Sequence, residues 1–328
     1  LHDTDSFKKI SGTRILNIKR LLRGYGLPGK IAESLWRSIP ESLRQTRPMM
    51  VLGRLIHKHW VRHHGKIQTH WTRFLRNKPQ QEVLADLLAQ QQSDVAKRVL
   101  SLGCSSGAEL YSFLYVARSR HPALRLTACG VDISPAVIEI ASAATYPKES
   151  GSALDQAHEA GDPVIAELPS EMISEIFVEH DGKLVVRDWI RADTSWLVGS
   201  ILNTVFLKSL GQFDAILVNN VLGPMPDSDA EACVRQLIDE VLAPGGYLVV
   251  EGMDMDLRTT VFSQSALTPV ADRLEEIHLA DHWKQGWPWL RWSHEPIDKH
   301  FNDWQIRYGT IFSAPRDANP ATKRSLVA

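Results

Sequence analysis

The chain is poor in cysteine. Three in 328 residues, Cys104, Cys129 and Cys233, lie far apart and form no Cys-x-x-Cys pair, which excludes a disulfide scaffold and a cysteine-rich zinc site. There is no run of about eighteen apolar residues, so no membrane-spanning helix is expected. The first residues, Leu1-His2-Asp3-Thr4-Asp5, lack the charged-then-apolar pattern of a secretion signal, and the reducing cytoplasm is the expected compartment. Gly-Lys-Ser/Thr is missing after the glycine-rich loop described below, as is any Gly-x-Ser-x-Gly elbow, so neither a phosphate loop nor an α/β-hydrolase nucleophile is indicated. Low-complexity tracts and internal repeats are also absent.

The composition is that of a folded protein, 44% hydrophobic and 23% charged, and the length suggests two domains at ~150 residues each. A net charge of −1 conceals a division. Residues 1–80 carry 17 Lys+Arg against 4 Asp+Glu, a net of +13, and the remainder carries 20 against 34, a net of −14. Opposite signs in two segments point to two units with different tasks. The basic unit either meets an acidic partner or packs against the acidic part of its own chain.

The basic segment has helical periodicity: Ile15 to Leu22, Ile31 to Ile39, and about Met49 to Gly65. From about residue 80 the pattern changes. After a helical stretch at Gln81–Gln92, apolar runs of strand length alternate with helical stretches: Arg98–Leu102, Leu126–Val131, Lys183–Trp189, Phe213–Val218 and Tyr247–Val250. Continuous apolar strands separated by helices predict a parallel sheet covered on both faces, an α/β doubly wound fold. Residues 1–80 are thus assigned to an all-helical basic domain and linker, and 81–328 to the α/β domain. The alternating run Asp303–Phe312 predicts an antiparallel edge strand, and Pro147–Asp181 an irregular insertion. Five of the ten tryptophans fall at 283, 287, 289, 292 and 304. They form either a cover over the sheet or the wall of a substrate pocket.

The sharpest local signal is Val99-Leu100-Ser101-Leu102-Gly103-Cys104-Ser105-Ser106-Gly107-Ala108-Glu109, a strand running through a loop of small residues into a helix. Glycine there permits positive φ and close backbone approach to a ligand at a helix N-terminus, which makes Gly103, Ser105 and Gly107 candidate contacts. The next strand ends at Asp132-Ile133, where a carboxylate can accept from both hydroxyls of a ribose. The alternative is that Asp132 or Ser134 caps the following helix, but glycine loop and acid together favour nucleoside binding. His59 and His63 stand at i and i+4, but no carboxylate or cysteine nearby completes a metal site, and none is expected. Trp60 and Trp71 among basic residues form no recognised nucleic-acid module, so nucleic acid is not an expected partner.

These stretches together resemble a known family. VLSLGCSSGAELYS, GVDIS, FDAILVNNVL and LAPGGYLVVEG, in that order, are similar to class I S-adenosylmethionine (SAM)-dependent methyltransferases. The closer resemblance is to CheR-type chemotaxis-receptor methyltransferases. CSSGAELYS stands for their CSTGEEPYS, Thr72-Arg73-Phe74-Leu75-Arg76 for their T-x-F-F-R, and FDAILVNNV for their FDAIFCRNV. The resemblance spans roughly residues 50–255. It implies a Rossmann-like methyltransferase fold with a mostly parallel, seven-stranded sheet and a helical N-terminal domain, with SAM as cofactor and S-adenosylhomocysteine (SAH) as product.

The resemblance also implies roles. Thr72 and Arg76 line the cofactor site, Arg76 near the SAM carboxylate, with His70 a polar contact. Glu109 lies by the methionine amine and Asp132 by the ribose. Asp193 and Thr194 meet the adenine edge, and Asn219 and Asn220 face the sulfonium. Arg76 and Asn220 are the candidate catalytic residues. Two positions depart from the family. Pro224 replaces an aromatic hydroxyl after the Asn-Val pair, and Gly252-Met253-Asp254-Met255 replaces a GHSE-like strand end. The expected reaction is O-methylation, first of a carboxylate, on an acidic or neutral small-molecule or protein acceptor, with no membrane partner. The acceptor is expected between the basic unit and the tryptophan-rich stretch. The alternatives are a non-catalytic SAM- or SAH-binding regulator and a true protein-glutamate methyltransferase.

Overall fold

The computed structural model describes residues 29–63, 70, 72–91, 94–148, 164–165, 168–280, 288–289 and 295–316. The chain divides into two compact units, Leu1–Lys66 with His282–Pro296, and Ile67–Asp281 with Ile297–Ala328. The division therefore falls fourteen residues before the expected boundary at 80, since the Thr72–Arg76 segment goes with the larger unit.

The smaller unit has helices at Gly29–Arg37, Glu41–Arg44 and Arg47–His63. Trp289 is buried within it. Its ring meets Trp36 edge-on at 6.3 Å and His57 at 5.9 Å, and His57 Nδ1 lies 3.0 Å from the Pro288 carbonyl. A Cβ on Gly53 would come within 2.4 Å of the Trp289 ring, so glycine is needed where the indole crosses the helix. Arg54 pairs with the buried Glu295 at 3.2 Å. Trp289 is thus an internal packing residue of the helical unit. The expectations for Trp283, Trp287, Trp292, the Ile15–Leu22 helix and the side chains of His59 and His63 lie outside the described residues.

The larger unit is built on a seven-stranded sheet of order β6-β2-β1-β7-β8-β10-β9. Its strands are β1 (Lys97–Leu102), β2 (Leu126–Asp132), β6 (Thr194–Val198), β7 (Phe213–Asn219), β8 (Leu242–Glu251), β9 (Thr268–Pro269) and β10 (Ile311–Ser313). The first five run parallel, and β10 is antiparallel to both its neighbours. Side chains alternate between two apolar layers: Val99, Ala215 and Leu217 enter one, Leu100, Leu102, Ile216 and Val218 the other. Helices Lys78–Gln90 and Ala108–Arg120 cover the first layer, and Asp227–Gln236 and Met255–Ser263 the second. Strand order reverses between β1 and β7, and the carboxyl ends of these two strands open a crevice there.

Two sequence expectations are corrected. The run Lys183–Trp189 is not the third strand of the main sheet. Lys183–Val186 is β5, the middle of a three-stranded antiparallel sheet with β3 (Thr145–Pro147) and β4 (Phe177–His180). Asp181 (φ 51°) and Gly182 (φ 72°) make the tight hairpin turn between β4 and β5, so the expected irregular insertion contains ordered hairpin structure. The third parallel strand is β6, half-exposed at the sheet edge, where a continuous apolar run is not required. Half of the run Asp303–Phe312 is a helix, Trp304–Tyr308; its last two residues begin β10, which is antiparallel as expected but lies inside the sheet, flanked by β8 and β9. Among the described residues no helix is long and apolar enough to cross a membrane.

Candidate active site

The site begins with a turn. Phe74 is buried, its ring edge-on to Tyr146 and Phe177, and its N–H donates to the Val164 carbonyl. Leu75 N donates to Ser112 Oγ at 2.9 Å, and Asn77 caps the helix Lys78–Gln90 by accepting from Gln80 N. Pinned at three points, the turn delivers Arg76 to the crevice, where Nη2 donates to Asn220 Oδ1 at 3.3 Å. Asn220 follows β7 with φ 60°, a conformation asparagine tolerates better than most residues. Its N–H donates to the Glu251 carbonyl at 2.7 Å, and its Cα would lie 2.7 Å from a Cβ on Gly252.

The glycine-rich loop comes next. Gly103 (φ 65°) and Ser105 (φ 50°) both lie in the left-handed region. Ser105 is held there by two bonds and its neighbour by a third: the Ser105 N–H donates to Asp132 Oδ2 at 2.9 Å and its hydroxyl to the His70 carbonyl at 2.5 Å, and Cys104 N donates to the Val131 carbonyl. Asp132 Oδ1 accepts from Ser134 N at 3.0 Å and lies 3.9 Å from His70 Nδ1. Asp132 is buried at the carboxyl end of β2, opposite Val198 of β6. Beside it, Ile133 (57% exposed) and Val198 (50%) form an uncovered apolar step. Burial first, with the Asp132 and Glu109 charges adding, holds the Cys104 thiol well above its ordinary range, so it is unreactive.

Between loop and turn lies a cavity open to solvent. Of the expected site residues, Thr72, Arg76, Gly103, Ser105, Glu109, Asn219 and Asn220 line it. His70 and Asp132 stand directly behind Ser105. Gly107 is off the wall. It starts the helix at φ 86°, and a Cβ there would strike Trp196 at 2.8 Å, so packing requires the glycine. Asp193 and Thr194 are a correction. They open β6 and sit at its amino end, about four residues or ~13 Å from the carboxyl edge where the cavity lies. The error follows from misplacing the third strand; Val198 occupies the corresponding carboxyl end.

The electrostatic centre is Glu109, half-buried in the first turn of its helix. Asn219 Nδ2 donates to its Oε1 and, at 3.0 Å, to Gln80 Oε1. Burial pushes the Glu109 carboxyl from its ordinary 4.5 up to about 7. The nearby Glu251 adds to the rise, while the Asn219 bond and the Arg76 charge oppose it.

The sequence reading missed Gln80, Gln81 and Glu251, which all line the cavity. Gln80 was detectable, since it shares the buried helix face of Leu84 and Leu88 at intervals of four, and a polar residue on an apolar face needs a partner. Glu251 ends an apolar run as Asp132 does, and the same signal applies to it. Among the described residues no group of three or more His, Cys, Asp or Glu could hold a metal ion.

Comparison with known proteins agrees with the geometry. The family model described as CheR methyltransferase, SAM binding domain, matches residues 70–270, more than half of the chain. No curated protein matches. Among solved structures the chain is similar to N-methyltransferase NodS from Bradyrhizobium japonicum WM9 in complex with SAH, at 19% identity over 60% of this chain and 78% of that one, TM-score 0.33. It is also similar to an O-methyltransferase family protein from Burkholderia thailandensis, at 16% identity over 53% and 37%, TM-score 0.31. A third is magnesium protoporphyrin IX methyltransferase (ChlM) from Synechocystis PCC 6803 with bound SAM, at 12% identity over 59% and 70%, TM-score 0.32. The chain spans less than two thirds of the Burkholderia protein, and likenesses at this level say nothing of the acceptor. The family match covers the turn, the glycine-rich loop and the strand ends that form the cavity, and the chain belongs to the CheR family of SAM-dependent methyltransferases.

Proposed function

We propose that the chain transfers a methyl group to an oxygen of an acidic or neutral acceptor, small molecule or protein, with a carboxylate as first choice and a methyl ester as product. The observation that carries this reading is the convergence of Arg76, the glycine-rich loop, Glu109 and the Asn219-Asn220 pair on one cavity at the switch point of the sheet. When bound, SAM supplies an electrophilic methyl group on a neutral thioether leaving group.

The residues present fit that cofactor. Asp132 spends one lone pair on each of two backbone N–H groups. A carboxylate offers about four such positions, so capacity remains for the two ribose hydroxyls. Ile133 and Val198 give the adenine ring an apolar step. Asn219 Oδ1 is buried without a hydrogen-bond partner among the described residues, and with Glu109 it accepts from the methionine ammonium. Arg76 takes the methionine carboxylate in the planar geometry that guanidinium favours.

The protein's contribution to rate is then alignment, which can be worth ~7–11 kcal/mol. A carboxylate acceptor is ionised at pH 7 and needs no base. Pro224 offers no hydroxyl to orient it, and that task falls to the other guanidinium group on the cavity wall, Arg73. A second reading rests on Glu251. Buried on the same wall, this acid favours an acceptor that donates hydrogen bonds, an amine or alcohol, and disfavours a second anion.

Methyl-labelled SAM offered with panels of carboxylic acids, alcohols and amines tests both. Label released as methanol by mild base is the expected result and marks an ester. Base-stable label on an amine or ether overturns the first reading for the second. SAH binding without transfer to any class supports the regulator.

A further inference from the structure

A chain of buried polar groups leads from β10 to the cavity. Gln80 Nε2 donates to Thr310 Oγ1 at 2.8 Å, and Gln80 Oε1 accepts from Asn219 Nδ2 at 3.0 Å. The same nitrogen donates to Glu109 Oε1. Gln80 and Thr310 are 3% and 6% exposed, and the Thr310 carbonyl accepts from Val250 N at 2.8 Å, which fixes the threonine against β8.

With Glu109 ionised, the direction of every bond in this chain is determined. An ionised Glu109 only accepts, so Asn219 must turn its nitrogen toward it. The second hydrogen of that nitrogen then faces Gln80, which must present its oxygen. The Gln80 nitrogen is left facing Thr310, whose hydroxyl accepts. Polarity passes outward from Glu109, and anchorage passes inward from Thr310. A reversed Asn219 would set its oxygen against two acceptors, a costly arrangement in a buried site. With both hydrogens engaged, the Asn219 oxygen is the acceptor left over, and it has no partner among the described residues.

We propose that Gln80 and Thr310 are positioning residues that hold the Asn219 amide with its nitrogen on Glu109 and its oxygen reserved for a donor of the bound cofactor. Neither touches the reacting atoms. The inference rests on the reading of the cavity as the SAM site.

The test uses the full chain with Gln80→Met, which keeps length and removes the amide, and with Thr310→Val and Thr310→Ser, which differ in the hydroxyl. Two readouts separate the positioning role from the cofactor reading: the titration of the Glu109 carboxyl by carbon NMR without cofactor, and SAH affinity by calorimetry from pH 6 to 8.5. The charged and titratable groups facing Glu109, namely Arg76, Glu251 and Cys104, are unchanged in every variant. Gln80→Met is expected to raise the Glu109 midpoint by about one pH unit, because a hydrogen bond favouring the ionised form is lost, and to weaken SAH about tenfold at pH 7. Thr310→Val moves both in the same direction by less, and Thr310→Ser returns both toward wild type. An unmoved Glu109 midpoint in Gln80→Met overturns the proposal. If that variant does not fold, equal midpoints in Thr310→Val and Thr310→Ser overturn it instead. A midpoint that moves in a chain that never binds SAH upholds the positioning of Asn219 and overturns the cofactor reading.

Discussion

Two acids flank the glycine-rich loop and are held in opposite ways. Asp132 accepts from two backbone N–H groups, Ser105 and Ser134, so its carboxylate is fixed by main chain alone. Glu109 accepts from a side-chain amide, Asn219, which in turn depends on Gln80. Main-chain donors survive substitution of the residues that carry them; side-chain donors do not. The Asp132 end of the cavity is therefore robust to sequence change, while the Glu109 end responds to it. The departure Pro224 and the acid Glu251 both lie on the cavity wall with Glu109. The difference separates an end of the cavity held by main chain from an end in which each side chain alters the chemistry.

The comparison is broken most strongly at Asp132. If Asp132 holds the ribose as proposed, Asp132→Ala removes two bonds to it, each ~1.5–3 kcal/mol for a charged acceptor, and leaves two backbone donors unpaired. SAH affinity measured by calorimetry is expected to fall about a hundredfold or more; an unchanged value would remove Asp132 from the site. Glu109 gives the next effect, through pH. Its folded-state value, about 7, is raised above the ordinary 4.5, so the folded chain holds the proton more tightly than the unfolded chain. Stability is then full below pH 4.5, declines as pH rises toward 7, and stays reduced above. The loss is about 2–3 kcal/mol. Urea unfolding at pH 5 and 8 is expected to show wild type losing this much relative to Glu109→Gln. Parallel curves for the two proteins would mean that Glu109 ionises freely.

The unequal legibility of the two ends has the same origin. Gly103, Ser105 and Asp132 were readable because backbone geometry dictates them: positive φ at a strand end demands small residues, and an acid that closes an apolar strand stands out from the run it ends. Arg76 and Asn220 were found through a motif match, and the turn anchored by Phe74 brings them together. Gln80 and Thr310, 230 positions apart, meet only because β10 inserts beside β8, a pairing that no local pattern announces. The third strand was misplaced for a related reason. Thr194–Val198 lies at the sheet edge and is half-solvated, so its sequence lacks the apolar continuity that marked the central strands. Lys183–Val186 has that continuity and spends it on the smaller sheet, where Leu184 and Val186 are buried. The pair Asp181-Gly182 marked a hairpin there and should have outweighed the apolar run.

The smallest effect sharpens the contrast between the cavity and the outlying three-stranded sheet. Gly103 and Gly182 have nearly the same φ, 65° and 72°, so an alanine at either meets the same backbone penalty, about 1–2 kcal/mol. Their surroundings differ. A Cβ at Gly103 would lie 2.5 Å from a methyl of Val221, the residue after Asn220, whereas one at Gly182 meets nothing within 4 Å. Gly103→Ala must displace Val221 and with it the strand end that carries Asn220, so SAH affinity falls along with stability. Gly182→Ala incurs the backbone penalty alone, at an exposed hairpin remote in the chain from the residues that line the cavity. Its unfolding free energy is expected to drop by about 1 kcal/mol with SAH affinity unchanged. If Gly182→Ala weakened SAH as much as Gly103→Ala, the hairpin turn would be part of the binding apparatus, beyond the support that Tyr146 and Phe177 give the Phe74 turn, and the division between the backbone-built end of the cavity and its surroundings would have to be redrawn.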